Sequence, residues 1–306
     1  MTDQLVSGPP RRCGYVAMIG APNAGKSTLV NALVGAKVSI VSHKVQTTRA
    51  IMRGIVMDGA AQIILVDTPG IFAPKRRLDQ AMVRTAWNGA REAEIIALLI
   101  DAERGIDDAN ADLLERLAKL PGDKILVLNK IDRVAHEKLL GLASDANNKL
   151  AFAATFMVSA LKTKGLGVLT SYLATHMPEG PWLFPADQIS DLPMRMLAAE
   201  ITREKLFERL HEELPYASTV ETDSWVARKD GSVRIEQSIF VERESQRKIV
   251  LGKGGSTVKA ISMSSRQELM GILDQTVHLF VHVKVREGWA DDPERYREMG
   301  LEFPRS

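Results

Sequence analysis

The feature that most restricts the fold of this chain is the stretch GAPNAGKST at residues 20–28. Two glycines, a lysine and a serine follow the spacing G-x4-G-K-S, the pattern of a phosphate-binding loop. The apolar run YVAMI precedes it and the helical pattern KSTLVNALVG follows it, so the loop is expected to join a strand to a helix. Such a loop turns backbone N–H groups toward phosphate oxygens. The predicted nucleoside triphosphate site contains Gly20, Ala21, Pro22, Asn23, Ala24, Gly25, Lys26, Ser27 and Thr28.

Composition limits the classes of protein that this chain can represent. Its 306 residues allow one to three domains, and a net charge of +2 means that any basic patch must be local. The single cysteine, Cys13, excludes an internal disulfide and favours a reducing cytoplasm. No apolar run is long enough for a membrane span. The polar residues 1–12 lack the apolar core of a secretory signal and are predicted to be a flexible leader.

The order of patterns predicts two domains. From residue 15 to about 177, apolar runs alternate with helical patterns, which is typical of an α/β fold with a mostly parallel sheet. Asp58-Gly59 lies between two apolar runs, so a hairpin should add one antiparallel edge strand. A proline-rich stretch follows, and then the order helix, two strands, two helices, strand. We expect a first domain at 13–178, a linker at 179–193 and a second, α+β domain at 194–306.

Three further stretches, DTPG at residues 67–70, NKID at 129–132 and SALKTKG at 159–165, are expected at the edge of the sheet where the phosphate loop begins. In DTPG, Asp67 can hold the hydration shell of Mg²⁺, and a glycine allows a backbone N–H to approach a γ-phosphate. In NKID, Asp132 can accept two hydrogen bonds from the N1–H and amine of guanine, an edge that adenine lacks. Lys130 would lie along the base, Asn129 would tie the two loops together, and a backbone N–H near Ala160 would donate to the guanine carbonyl. These stretches add Asp67, Thr68, Pro69, Gly70, Asn129, Lys130, Asp132, Ser159, Ala160 and Leu161 to the predicted nucleotide site.

The combination of these motifs resembles the TRAFAC-class GTPases. By this resemblance QTTR at residues 46–49 is the first switch, and either Thr47 or Thr48 closes on Mg²⁺ and the γ-phosphate. Asn23 is a candidate K⁺ ligand. The alternative is that its side-chain amide only stabilises the loop. The expected metal ligands are Ser27, Thr47, Thr48 and Asp67, and the expected catalytic residues are Lys26, Thr47, Thr48, Asp67 and Gly70.

The residue after DTPG is Ile71, which has no group that could orient an attacking water. Hydrolysis must then rely on backbone, metal, another side chain or a second cation. We therefore expect slow intrinsic hydrolysis of GTP.

The second half contains a candidate RNA-binding loop. GKGG at residues 252–255 lies between two helical patterns and resembles the GxxG loop of a KH domain, which clamps single-stranded nucleic acid. Residues 243–266 include six cations and one anion, so this segment carries +5. The predicted RNA-binding residues are Arg247, Lys248, Gly252, Lys253, Gly254, Gly255 and Lys259.

A phosphate-loop GTPase domain followed by a type II KH domain resembles the Era family of small-subunit ribosome-assembly GTPases. KVQTTR, DTPGIF, GKGG and REGWADD all occur where that family has them. The resemblance implies GTP and GDP as ligands, the 3′ region of small-subunit rRNA and the small ribosomal subunit as partners, and no DNA. It also implies a cytoplasmic location with peripheral association at the inner membrane.

Two function hypotheses stay open at this point. The chain is either an enzyme that works as a GTP-driven switch, or an RNA-binding assembly factor whose nucleotide is mainly structural. Stimulation of hydrolysis by RNA would distinguish them. A membrane-trafficking GTPase is not supported, because no lipid-attachment cysteine lies at the C-terminus.

Overall fold

The computed structural model describes residues 9–44 and 47–304, which form two compact units. The first unit contains residues 9–38, Thr48–Pro74 and Met82–Asp191, and the second contains residues 39–44, Thr47, Lys75–Ala81 and residues 192–304. Residues 1–8 of the predicted leader and Gln46 of the predicted switch lie outside the described residues. Two short segments of the N-terminal half of the sequence therefore belong to the second unit.

The first unit is built on a six-stranded sheet with the strand order β2-β3-β1-β4-β5-β6. Its elements alternate along the chain as β1 (Arg12–Gly20), α1 (Lys26–Val34), β2 (Met52–Asp58), β3 (Ala61–Asp67), α2 (Arg77–Glu92), β4 (Ile95–Asp101), α3 (Asp108–Leu117), β5 (Asp123–Asn129), α4 (His136–Lys149), β6 (Ala154–Met157) and α5 (Leu166–His176). The first residues of α2, up to Ala81, are grouped with the second unit. Only β2 is antiparallel to its neighbour, and it lies at the sheet edge. This confirms the predicted mostly parallel sheet with one antiparallel edge strand.

Helices cover both faces of this sheet. Alternate residues of β1 point to opposite faces, so Val16 packs into the apolar cluster that contains α1 and α5. Its neighbour Ala17 packs into a second cluster with α2, α3 and α4. The central strands are buried on both faces, which leaves the ends of the strands as the place for polar chemistry.

The stretch predicted as a linker contacts the first unit along most of its length. The Ile55 N–H donates to the Ile189 carbonyl at 2.9 Å. The Gln62 amide donates to the Phe184 carbonyl at 2.8 Å and accepts from the Leu183 N–H at the same distance. Residues 179–191 thus belong to the first unit. The bounds 179–193 for a linker stay a prediction.

The second unit has the predicted order of helix, two strands, two helices and strand, and one short unpredicted helix follows. These elements are α6 (Met194–Arg209), β7 (Ser218–Ala227), β8 (Val233–Val241), α7 (Glu244–Leu251), α8 (Ser256–Leu273), β9 (Val277–Val285) and α9 (Pro293–Glu298). β7 pairs antiparallel with β8, and β8 pairs parallel with the edge strand β9. Apolar residues of α6 and α8 pack on the sheet. Of the helices in the described part of the chain, none is long and apolar enough to cross a bilayer.

Candidate functional site

The phosphate loop connects β1 to the first turn of α1. Gly25 has φ of 96°, a left-handed conformation that favours glycine, and a Cβ there would lie 2.3 Å from the Asn129 amide nitrogen. Asn23 also has a positive φ, of 65°. The close approach of Asn129 explains why position 25 requires glycine. The N-terminus of α1 begins directly at Lys26, so its free N–H groups face the loop.

The Lys26 side chain lies inside the loop. Its Nζ donates to the carbonyls of Gly20 at 3.1 Å and Ala21 at 3.2 Å. Burial lowers the pKa of Lys26 to about 8, and the nearby Asp67 carboxylate partly opposes that shift. A lysine folded back on its own loop, with its charged form penalised by burial, would be stabilised by phosphate oxygens.

Three oxygen-bearing side chains meet next to this lysine. The Ser27 hydroxyl donates to Asp67 Oδ2 at 2.7 Å and lies 3.0 Å from the Thr48 hydroxyl. Thr47 instead donates to the Lys44 carbonyl at 2.9 Å. The structure therefore brings Thr48, and not Thr47, to the other predicted metal ligands. Hydroxyl and carboxylate oxygens are the ligands that Mg²⁺ prefers, so these residues fit that ion.

The segment after β3 crosses the start of the phosphate loop. The Thr68 hydroxyl donates to the Met18 carbonyl at 2.8 Å, and the Ile71 N–H donates to the Gly20 carbonyl at 3.2 Å. A Cβ on Gly70 would lie 3.0 Å from Pro22 Cα, so glycine permits this close crossing. The Ile71 side chain is buried in the apolar cluster under α2 to α4. Its position therefore belongs to the core.

Asn129, at the end of β5, joins three segments. Its amide nitrogen donates to the Ala24 carbonyl at 3.0 Å. Its amide oxygen accepts from the N–H groups of Lys130 at 2.8 Å and Ala160 at 3.1 Å. The phosphate loop, NKID and SALK are thus fixed to one another. Because the Ala160 N–H donates to Asn129 here, its predicted donation to a guanine carbonyl stays a prediction.

The NKID loop carries two charged side chains, Lys130 and Asp132, next to the phosphate loop. Lys130 has φ of 64°, and its Nζ donates to the Asn23 carbonyl at 2.9 Å and to the Asp101 carboxylate at 2.6 Å. Asp132 is exposed, and the buried Ser159 hydroxyl donates to its Oδ1 at 2.5 Å. That hydrogen bond lowers the pKa of Asp132, so the carboxylate is ionised at neutral pH and can accept hydrogen bonds.

The segment before Thr48 is bonded to α6 within the second unit. The Val41 N–H donates to Glu204 Oε1 at 2.8 Å, and Lys44 Nζ donates to the carbonyls of Phe207 and Leu210 at the end of that helix. Arg203 Nη2 donates to the Thr47 carbonyl at 2.5 Å. Sequence reasoning did not identify this helix as a support for the switch segment, because the contact joins residues about 160 positions apart.

Arg203 is the centre of that contact. Its side chain is only 2% exposed and also donates to Glu200 at 2.5 Å. Its other terminal nitrogen, Nη1, is buried without a hydrogen-bond partner. A buried guanidinium needs its ionic partner to offset desolvation, so the position of the Thr47 carbonyl is coupled to this ion pair.

The GKGG loop separates α7 from α8 in the second unit. Gly252, Gly254 and Gly255 have φ of 74°, 60° and 78°. A Cβ on Gly252 would lie 2.2 Å from the Thr257 hydroxyl, whereas Gly254 and Gly255 face open space. Two of the loop's glycines are therefore accessible to a ligand, and the N-terminus of α8 follows immediately.

The predicted basic residues differ in their availability. Lys248, Lys253 and Lys259 are exposed. Arg247 is half-buried, and it donates to Glu244 at 2.8 Å and to the Val283 carbonyl at 3.1 Å. The three lysines can therefore meet a phosphate backbone directly, whereas Arg247 would first have to leave its partners.

A groove of about 300 Å³ runs between α8 and the edge strand β9. It is lined by Val258, Lys259, Ser262, Met263, Arg266, Leu279, Phe280, Val281 and His282. Only Lys259 of these was predicted as an RNA-binding residue. The missed residues come from α8 and β9, which meet only in the folded chain. Among them, Met263 on α8 is an apolar side chain that is 57% exposed.

The whole chain was compared with known proteins. A sequence model of the family described as "50S ribosome-binding GTPase" matches residues 15–130, and one described as "KH domain" matches residues 213–290. The chain is 63% identical to GTPase Era of Bradyrhizobium sp. (strain BTAi1) over 100% of both chains. It is 65% identical to GTPase Era of Rhizobium meliloti (strain 1021), over 99% of this chain and 97% of the relative.

Two solved structures of Era proteins are also similar over nearly the full length. A variant of Era from Aquifex aeolicus bound to GDP and AlF4⁻ is 39% identical, with a TM-score of 0.88 over 94% of this chain and 99% of that one. Era in complex with MgGDPNP and nucleotides 1506–1542 of 16S ribosomal RNA is 38% identical, with a TM-score of 0.89 over 95% and 99% of the two chains.

Proposed function

This chain belongs to the Era family of GTPases, and we propose that it is a GTP-hydrolysing switch that binds single-stranded rRNA and assists assembly of the small ribosomal subunit. The observation that carries the nucleotide half of this proposal is the junction at Asn129. One amide holds the phosphate loop, the NKID loop and the SALK loop together at one edge of the sheet. A site with this arrangement can hold phosphates at one end and a base at the other.

Guanine is the base whose hydrogen-bond donors match the Asp132 carboxylate. The ionised Asp132 offers two acceptor oxygens, and guanine offers two neighbouring donors, N1–H and the exocyclic amine. Adenine has no such pair of donors. Ser159 orients the carboxylate and keeps it ionised. We therefore propose GTP and GDP as the ligands.

The phosphate end of the site fits Mg²⁺. Ser27, Thr48 and Asp67 would hold the ion, directly or through its bound water, and the ion would neutralise charge on the β- and γ-phosphates. Lys26 would hold the same phosphates after leaving the carbonyls of its loop. The Gly70 N–H would donate to the γ-phosphate, since this glycine crosses the loop closely.

Slow intrinsic hydrolysis follows from Ile71. Its side chain is buried in the core and has no polar atom to orient water. We further propose K⁺ as a second cation, with Asn23 as its ligand. In support, Asn23 lies in a left-handed turn at the tip of the loop, and Lys130 holds its carbonyl.

The contacts of the segment before Thr48 favour the hypothesis of a GTP-driven switch over that of a mainly structural nucleotide. The Thr48 hydroxyl lies 3.0 Å from that of Ser27, which donates to Asp67, and the carbonyl of the preceding Thr47 accepts from Arg203 of α6. Lys205 of the same helix forms an ion pair with Glu268 of α8 at 2.7 Å. A bonded path thus leads from the metal-binding threonine to the helix that lines the groove.

RNA is the partner that the second unit fits. The GKGG loop has two open glycines and an exposed lysine, and the groove beside it carries Lys259 and Arg266. These features suit a single-stranded backbone and unstacked bases. The Era complex with nucleotides 1506–1542 of 16S rRNA supports the 3′ region of that RNA as the target. The family likeness and the single cysteine support a cytoplasmic location. We also expect peripheral association with the membrane, which sedimentation of the protein with lipid vesicles would test.

The test is GTP hydrolysis with and without small ribosomal subunits. The switch hypothesis predicts that subunits stimulate hydrolysis in the wild type, and that Lys253→Asp lowers this stimulation because its carboxylate repels RNA. Arg203→Met should uncouple the two sites, so that subunits bind without stimulating hydrolysis. Subunits that bind with no effect on wild-type hydrolysis would favour the structural-nucleotide hypothesis.

A further inference from the structure

Phe280 is an exposed aromatic side chain of the second unit. The structure describes all the phenylalanines, tryptophans and tyrosines of the chain, and Phe280 is the exposed one among them, at 44%; the others are buried or half-buried. Aromatic rings bury a large apolar area when they pack, so an exposed ring forgoes that stabilisation. A single exposed ring is by itself ordinary on a protein surface, and its surroundings decide what it can do.

The ring belongs to the edge strand of the second unit's sheet. Residues 279–282 of β9 form one wall of the groove, and α8 forms the other. Leu279 is 8% exposed and packs in the core with α6 and α8. Because successive side chains of a strand point to opposite faces, Phe280 points away from that core. Its ring therefore lies at the rim, where the groove meets the outer face of the sheet.

Arg234 of β8 accompanies the ring. Its guanidinium carbon lies 4.9 Å from the ring centroid, and its Nη2 donates to Glu236 at 2.5 Å. Aromatic rings and guanidinium planes are the two kinds of surface on which proteins stack unpaired bases. The rim thus offers both, and Glu236 fixes the arginine in place.

We propose that Phe280, supported by Arg234, is a stacking platform for one base of the single-stranded RNA held by the GKGG loop. This inference rests on the proposed RNA-binding function and names a contact within it. Charge complementarity selects RNA as the occupant, since the exposed side chains of Lys259 and Arg266 line the same groove. A strand clamped at Lys253 would run along α8 past these cations, and a base that leaves the groove at β9 meets the ring.

The test measures RNA affinity of the full chain by fluorescence anisotropy with a non-hydrolysable GTP analogue present. The probe is a labelled single-stranded oligonucleotide with the 3′-terminal sequence of small-subunit rRNA. Phe280→Ala should weaken binding about 5- to 150-fold, the range for loss of one base–aromatic stack. The ring carries no charge, so the slope of log affinity against log salt should not change. Phe280→Leu should behave like Phe280→Ala, whereas Phe280→Trp should bind like the wild type.

Two matched variants separate stacking from other effects. Lys259→Ala should weaken binding and reduce the salt slope by about 0.7, the value for one phosphate contact on a single strand. Val285→Ala removes another exposed apolar side chain of β9 that does not line the groove, and it should bind RNA normally. Circular dichroism confirms that each variant is folded. If Phe280→Ala does not fold, the comparison of Phe280→Leu with Phe280→Trp decides.

A spectroscopic readout tests the stack itself. Oligonucleotides with 2-aminopurine at successive positions should show one position whose fluorescence is quenched by the wild type and restored in Phe280→Leu. An abasic site at that position should cost the wild type affinity and cost Phe280→Leu nothing more. The platform is wrong if the wild type binds RNA and both Phe280→Ala and Phe280→Leu bind it equally well. If the wild type binds no RNA, the proposed function fails first and the platform with it.

Discussion

The affinity for GTP should fall as pH rises above about 8, because of Lys26. Burial lowers the pKa of this lysine to about 8 in the nucleotide-free protein, from an ordinary value of 10.5. Phosphate oxygens placed against Nζ would favour the charged form and raise that pKa again. The nucleotide therefore binds best to the protonated lysine, and above pH 8 binding must be accompanied by proton uptake.

The structure sets the size of this effect. With a free-state pKa of about 8, the apparent affinity should drop about tenfold between pH 7 and pH 9. At pH 8.5, GTP binding should take up about 0.8 proton, against about 0.1 at pH 7.

The same shift has a consequence for folding, with a definite sign. Below pH 8 the lysine is protonated in both the folded and the unfolded chain, and the folded state carries the full cost of the buried charge. Between pH 8 and 10.5 the folded state releases the proton first, so the free energy of unfolding of the nucleotide-free protein should rise by up to about 3 kcal/mol.

The assay is titration calorimetry at pH 7 and 8.5 in buffers with different ionisation enthalpies. The buffer dependence of the heat gives the protons taken up directly. Lys138→Ala removes an exposed lysine of α4 and should keep the linkage. Lys26→Arg, whose guanidinium does not titrate in this range, should lose it. An affinity that is constant from pH 7 to 9, with no proton uptake at 8.5, would refute the assignment of Lys26 as a buried lysine that charges on binding.

Three further outcomes are expected. Asp132→Asn should weaken GTP about 100-fold and make xanthosine triphosphate the better ligand in a competition assay, because xanthine has a carbonyl where guanine has its amine. If Asn23 holds K⁺, replacing K⁺ with Na⁺ should slow wild-type hydrolysis, and Asn23→Ala should remove the difference; equal wild-type rates in both salts would count against it. Gly254→Asp should bind RNA much more weakly than Gly254→Asn; the two share the cost of a φ of 60°, so calorimetric melting should find them equally stable, and equal RNA affinities would argue against a phosphate at this loop.

Much of the geometry of the candidate nucleotide site could be predicted from sequence because of how parallel sheets are built. Loops that follow parallel strands emerge at one edge, so the motifs after β1, β3 and β5 had to lie close together. The short spacing inside each motif then placed individual residues such as Lys26 and Asp132. What the pattern could not decide was the choice between adjacent residues. Thr47 and Thr48 differ by one position, and only the backbone path shows that the second reaches Ser27.

The groove of the second unit could not be predicted in the same way. Its walls come from α8 and β9, and their contact depends on how the helix packs on the sheet. The short helix α9 was also absent from the predicted order of the second unit, because six residues carry too little periodicity to identify a helix.

The burial of Ile71 limits which residues can regulate hydrolysis. With that side chain fixed in the core, the segment after β3 cannot supply a side chain that swings in to orient water from this position. Thr48 is different, since one peptide bond joins it to Thr47, whose carbonyl is held by Arg203. A displacement of the Thr47 backbone would be transmitted through that peptide bond to Thr48, whose hydroxyl lies 3.0 Å from the Ser27 hydroxyl. We therefore expect the trigger for hydrolysis to act through the backbone at these two threonines.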